Sequence, residues 1–97
     1  MLHTINKSPF NTSSLESCIR FVSADDVVLL FEDAVYAATG NTNKSYLVES
    51  LLKTCKVYAL SADIKARGVD DLIAGVETTD YDGFVDLVEA HNVQAWL

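Results

Sequence analysis

Five consecutive apolar residues, Val27-Val28-Leu29-Leu30-Phe31, stand between Asp26 and the pair Glu32-Asp33. The run does not alternate, so both of its faces must be buried. Its β-branched and aromatic content, and its shortness, predict a strand rather than a helix. A strand covered on both faces belongs in a mostly parallel sheet with helices on either side. The rest of the pattern fits around it. Leu2 to Asn6 predicts a first strand, with His3 and Ile5 toward one face and Leu2 and Thr4 toward the other. Pro9 keeps that strand from continuing. Leu15, Cys18, Ile19 and Val22 recur at helical spacing and predict a helix from Ser14 to Val22, with Ser13 and Glu16 in the positions of a capping box.

Asp33 is placed to cap a short helix, Ala34 to Thr39, that Gly40 ends. A further helix, Ser45 to Thr54, turns Leu47, Val48 and Leu51 inward. Lys56 to Leu60 predicts the third strand. A short helix begins near Ser61 and Asp63 and ends near Gly68, and the segment from Val69 to Gly75 is ambiguous. Val76 to Thr79 predicts the fourth strand. Tyr81 to His91 is amphipathic, with Phe84, Val85, Leu87 and Val88 apolar. Val93 to Leu97 is the last strand. Strands and helices alternating at this spacing make an α/β fold, a three-layer α/β/α sandwich with a mostly parallel five-stranded sheet. Ninety-seven residues suit one domain, 1–97.

Composition sharpens this picture in two ways. Apolar residues make up 49% of the chain and mean hydropathy is +0.17, so either the core is dense or a partner covers apolar surface. The last strand carries Trp96 and Leu97 with no helix after it in this sequence. An uncovered edge of that kind is a liability for a monomer and predicts an oligomer. The formal charge of −7 would repel phosphates, and the seven bases are scattered, which argues against direct nucleic-acid binding. No apolar run approaches a membrane span, and the first residues have neither a basic start nor an apolar signal core. The expected location is the cytoplasm.

Candidate chemistry is sparse. In open α/β sheets ligands bind beyond the carboxyl ends of the strands. The residues there are Lys7 and Ser8, Glu32 and Asp33, Ser61 and Asp63, and Thr79 and Asp80. Glycine-rich dinucleotide and phosphate loops are missing, so no cofactor is expected. The hydroxyl-rich segment Ser8 to Ser14 keeps open an alternative, a flavodoxin-like module binding a small ligand or nucleotide. Glu32 and Asp33 have the chemistry of a general acid and base or of metal ligands. A solvated strand end and a helix cap explain them as well, and no metal site is expected. His3 reads as a hydrogen-bonded core histidine and His91 as a helix-end residue.

Cys18 is the one residue with nucleophilic reactivity to offer. A thiolate can carry a sulfane sulfur if its pKa is lowered and it can be reached, and a place in the first half of a helix would lower it. Its position on the apolar stripe argues for burial instead, the common fate of free cysteine. Cys55 reads as structural. The two cysteines lack metal-ligand spacing, and a disulfide is not expected in the cytosol.

The opening Met1-Leu2-His3-Thr4-Ile5-Asn6-Lys7-Ser8-Pro9-Phe10 is joined by further blocks at Val28 to Ala38, Val57 to Leu60, Asp63 to Gly68, Asp80 to Leu87 and Gln94 to Trp96. Together, over nearly the whole length, they resemble the TusB/DsrH family of sulfur-relay proteins. The resemblance implies a DsrEFH-like fold related to the flavodoxin type. It also implies a place in a dimer of heterotrimers with two sister subunits, one TusC/DsrF-like and one TusD/DsrE-like. Such a complex passes persulfide sulfur between sulfur-carrier proteins. In the Tus branch the sulfur ends as the 2-thio group of a tRNA wobble uridine; in the Dsr branch the complex serves oxidation of stored sulfur. The main active cysteine then lies on a sister subunit, with Cys18 a candidate persulfide carrier at most. Ser14-Leu15-Glu16-Ser17-Cys18 resembles the Dsr pattern.

Overall fold

In the computed structural model, which describes all 97 residues, five parallel strands form one sheet. They are β1 (Leu2–Ile5), β2 (Val27–Leu30), β3 (Lys56–Leu60), β4 (Glu77–Thr79) and β5 (Val93–Trp96), in the spatial order β4-β3-β2-β1-β5. β2 lies at the centre, and all four of its residues are buried. That is the arrangement its unbroken apolar run calls for. Register aligns Leu2 with Val27 and Val93, and Thr4 with Leu29, Tyr58 and Ala95. Aligned residues share a face.

One face carries the main core. Ile5, Val28, Leu30, Val57 and Ala59 pack there against α1 (Ser14–Ile19), a 3-10 helix (Glu32–Ala38) and α2 (Ser45–Leu52). Leu15 and Cys18 of α1, and Leu47, Val48 and Leu51 of α2, are buried in it. α3 (Ser61–Ala66) follows β3 directly, and its Ile64 packs on the same core. The opposite face is thinner. Leu2, Val27 and Leu29 are covered there by Phe84 and Leu87 of α4 (Tyr81–Ala90). α4 has no buried residue. The result is a lopsided three-layer sandwich.

Several local expectations shift. α1 stops at Ile19 rather than Val22. Arg20 and Phe21 bond back to Ser17 and Cys18, three residues each, and this tightens the final turn. The capping box does not form, because Ser13 makes no side-chain cap and Glu16 turns to Lys44 at 3.4 Å. Asp33 does not cap the helix after β2. That element is 3-10, opens at Glu32 in the left-handed region (φ 48°), and has Phe31 at its N-cap. The Val69–Gly75 segment is a loop, pinned by a bridge between Thr39 and Leu72. β5 is an edge strand, exposed at Val93, Gln94 and Ala95. Trp96 is not bare, however: it is half-buried against the core.

Candidate functional site

At the carboxyl ends of β2 and β3 the predicted acids do meet, but around a cation. Asp63 accepts the backbone N–H of Glu32 through Oδ2 at 2.7 Å and Nη1 of Arg67 through Oδ1 at 3.2 Å. Nε of Arg67 donates to Asp33 at 2.9 Å. The Asp33 carboxylate, with Asp63 behind it, holds the Arg67 guanidinium even more firmly protonated than usual. Asp33 and Asp63, with the backbone N–H of Glu32, therefore form a clamp through Arg67 that ties the 3-10 helix to α3. Asp33 is thereby committed to Arg67 rather than free to work with Glu32 as an acid–base pair. No group of three or more His, Cys, Asp and Glu side chains is placed to hold a metal ion. Arg67 was invisible as a member of this group in the sequence; its i,i+4 spacing from Asp63 was the available signal.

The loop after β1 closes on itself. Ser8 is buried, its Oγ accepts the Phe10 N–H, and its carbonyl accepts the N–H groups of Asn11 and Thr12. The three cavities of the molecule lie elsewhere, so the hydroxyls of Ser8 to Ser14 line no ligand pocket. Beyond β4, Asp80 caps α4 by accepting the Gly83 N–H at 2.8 Å. A side chain at Gly83 would meet the Thr79 hydroxyl, which would have to turn aside.

Cys18 is fully buried, and its place in the helix differs from the expected one. With α1 ending at Ile19, Cys18 stands in the last turn, away from the partial positive charge of the N-terminus. Burial, with Cys55 and Asp26 adding negative character nearby, pushes its thiol up to about 12. At neutral pH the sulfur is a protonated thiol shut inside the core, the opposite of an activated nucleophile. Cys55 is also free and buried, with its thiol directed at the Leu51 carbonyl.

The densest polar arrangement lies at the other end of the sheet. His3 is 2% exposed, and both of its ring nitrogens are bonded. Nδ1 accepts the Trp96 indole N–H at 3.1 Å, and Nε2 lies 2.8 Å from Oδ2 of Asp26. Asp26 also accepts the Ser23 N–H and the Met1 amine. The His3 bond, then that of Ser23, then the amine hold its carboxyl down at about 2. Phe21 lies against the outer side of the indole, with ring centroids 5.6 Å apart. His3 is thus a satisfied core histidine. His91 bonds the Leu87 carbonyl at the end of α4.

A family model described as DsrH like protein matches residues 7–94. The chain belongs to the DsrH-like family. Among this family's relatives, Protein TusB of Escherichia coli O81 (strain ED1a) is 38% identical over 98 residues, covering 99% of this chain and all of that one. Protein TusB of Shigella boydii serotype 18 matches at the same identity and coverage. The DsrH-like fold also appears in the crystal structure of the Escherichia coli ychN protein, at TM-score 0.85 and 21% identity over 97% of both chains. A protein of unknown function from Methanobacterium thermoautotrophicum shares it at TM-score 0.75 and 20% identity, over 97% of this chain and 95% of that one. No helix of the chain is long and apolar enough to cross a membrane.

Proposed function

We propose that this chain is an auxiliary subunit of a heteromeric sulfurtransferase complex that relays persulfide sulfur between carrier proteins in the cytoplasm. The observation that carries the reading is the end-to-end similarity to Protein TusB. By the family resemblance, its companions are a TusC/DsrF-like and a TusD/DsrE-like sister subunit in a dimer of heterotrimers. The same similarity favours the branch that ends in 2-thiolation of the tRNA wobble uridine over the branch that oxidises stored sulfur. Its charge of −7 suits a subunit that leaves tRNA to others.

The chain's own chemistry fits a supporting role. Cys18 could receive sulfur only if α1 lifted from the sheet, because its thiol is enclosed and protonated. Persulfide carriage therefore falls to a companion. Charging the purified complex with radiolabelled persulfide and mapping the label by peptide tests this. Label on a companion cysteine, with transfer unchanged in Cys18→Ala, is the expected result. Label on Cys18 would overturn the auxiliary role, and an unlabelled complex would overturn the relay. Normal 2-thiouridine in tRNA from cells lacking this chain would overturn the tRNA branch.

A further inference from the structure

We infer that the β5 margin of the α4 face is a docking trough for a partner subunit that presents an apolar ridge bordered by lysine or arginine. This rests on the reading of the chain as one subunit of a heteromeric complex, and it names the surface and the chemistry of the contact. α4 is the only helix on its face. Five strands about 4.8 Å apart are wider than the roughly 10 Å that one helix covers, so both margins of the face stay open. The two margins differ in character. On the β3–β4 side the exposed residues are Lys56 and Glu77. On the β5 side they are Val93, 46% exposed, and Ala95, aligned with Leu2 and Thr4 on the α4 face.

α4 adds an apolar wall to that second margin. It joins two parallel strands, so it runs opposite to them, and the crossover from β4 to β5 is right-handed. With Phe84 and Leu87 pointing down onto the sheet, the turn of the helix places Tyr81, Val85 and Val88 on the flank toward β5. They follow i, i+4, i+7 spacing and are 62%, 53% and 39% exposed. Their exposure leaves a stripe that the chain's own packing does not use. Next to it, along the outer ridge of α4, stand Asp82 and Glu89, exposed and without an ion-pair partner.

The charge selects the occupant. A second copy would bring the same acidic ridge and another net charge of −7 against the first. A partner with an apolar ridge and basic borders satisfies both the stripe and the free carboxylates.

The test is co-expression of the full chain with the two proposed companion subunits, followed by affinity measurement. Val85→Asp should weaken assembly at least tenfold. Glu89→Lys should weaken it too and flatten its salt dependence. Lys56→Glu, on the polar margin, should leave it unchanged. Melting curves identify any variant that fails to fold, and Glu89→Lys, at an exposed position, then decides alone. Wild-type-like assembly by the folded variants overturns the trough while leaving the subunit role standing. Failure of the unaltered chain to assemble overturns the subunit role, and the trough with it. A homodimer of the unaltered chain that Val85→Asp dissolves overturns the basic partner in favour of a second copy.

Discussion

Trp96 donates its indole N–H to Nδ1 of His3, and that bond sets the tautomer of a buried histidine. With Nδ1 accepting at 3.1 Å, the ring proton sits on Nε2 and is donated to Asp26. The tautomer follows from the bonding pattern. β5 is thereby tied to β1 by a side chain as well as by the ladder. Trp96→Phe keeps most of the ring packing but leaves the buried Nδ1 without a donor, which costs about 1–3 kcal/mol. Urea unfolding of the variant measures this. A midpoint equal to that of the native chain would show that the bond contributes nothing.

Asp26 makes stability depend on acid pH. Its carboxyl titrates at about 2 in the folded chain against an ordinary 3.8, chiefly because it accepts from His3. A depressed folded-state pKa stabilises above the unfolded value and is lost as pH falls through the folded one. The native chain should therefore lose stability between about pH 4 and 2 more steeply than Asp26→Asn, which lacks the titrating group. Melting temperatures of the two chains across that range provide the comparison. Parallel curves would remove Asp26 as a source of acid sensitivity.

The parts of the fold legible in the sequence are those governed by apolar period. Val27–Leu30 could only be a central strand, and Lys56–Leu60 is found at its predicted bounds. His3 and Ile5 face the main core, opposite Leu2, as alternation requires. What stayed hidden depended on contacts distant in sequence. Asp26 looks like a strand bracket until register sets Leu2 opposite Val27 and so lets the Asp26 side chain, on the same face, reach His3 at 2.8 Å. Trp96 looks like an uncovered end until β5 pairs with β1, ninety-odd residues away. Local capping signals misled in both directions. Ser13 and Asp33 were outcompeted, since Glu16 found Lys44 and Asp33 found Arg67.

Asp63 and Asp33 both bind Arg67, yet their loss should differ. Asp63 is largely buried and also accepts the N–H of Glu32, whose left-handed φ of 48° is unfavourable for a side chain. Removing it loses this bond and the Arg67 bond together, both to a charged carboxylate, so Asp63→Ala should cost about 1.5–3 kcal/mol. Asp33 is 57% exposed, and Asp33→Ala should cost no more than about 1 kcal/mol. Chemical denaturation of the two variants gives the ranking. Equal losses would mean that the Arg67 contact matters and the Glu32 contact does not.

Burial of Cys18 predicts both its reactivity and an alkaline limit to stability. A thiol held at about 12 is almost entirely protonated at neutral pH, and α1 shields it from reagents. Iodoacetamide should therefore modify Cys18 in the native chain at least about a hundredfold more slowly than in urea-unfolded chain, where the thiol is ordinary. Cys55, buried but at the rim of a 240 Å³ cavity, should react first. The linkage sign is opposite to that of Asp26. The folded-state pKa is raised, so the stabilisation is complete below the ordinary thiol value of 9.0 and is lost as pH climbs toward about 12. Cys18→Ala should flatten that alkaline decline while losing a little packing. Cys18→Ser keeps the shape but buries a hydroxyl that needs a partner, and should cost about 1–3 kcal/mol at neutral pH. Native-state labelling of Cys18 as fast as that of the unfolded chain would show that α1 opens readily, and that this sulfur is within reach of a persulfide after all.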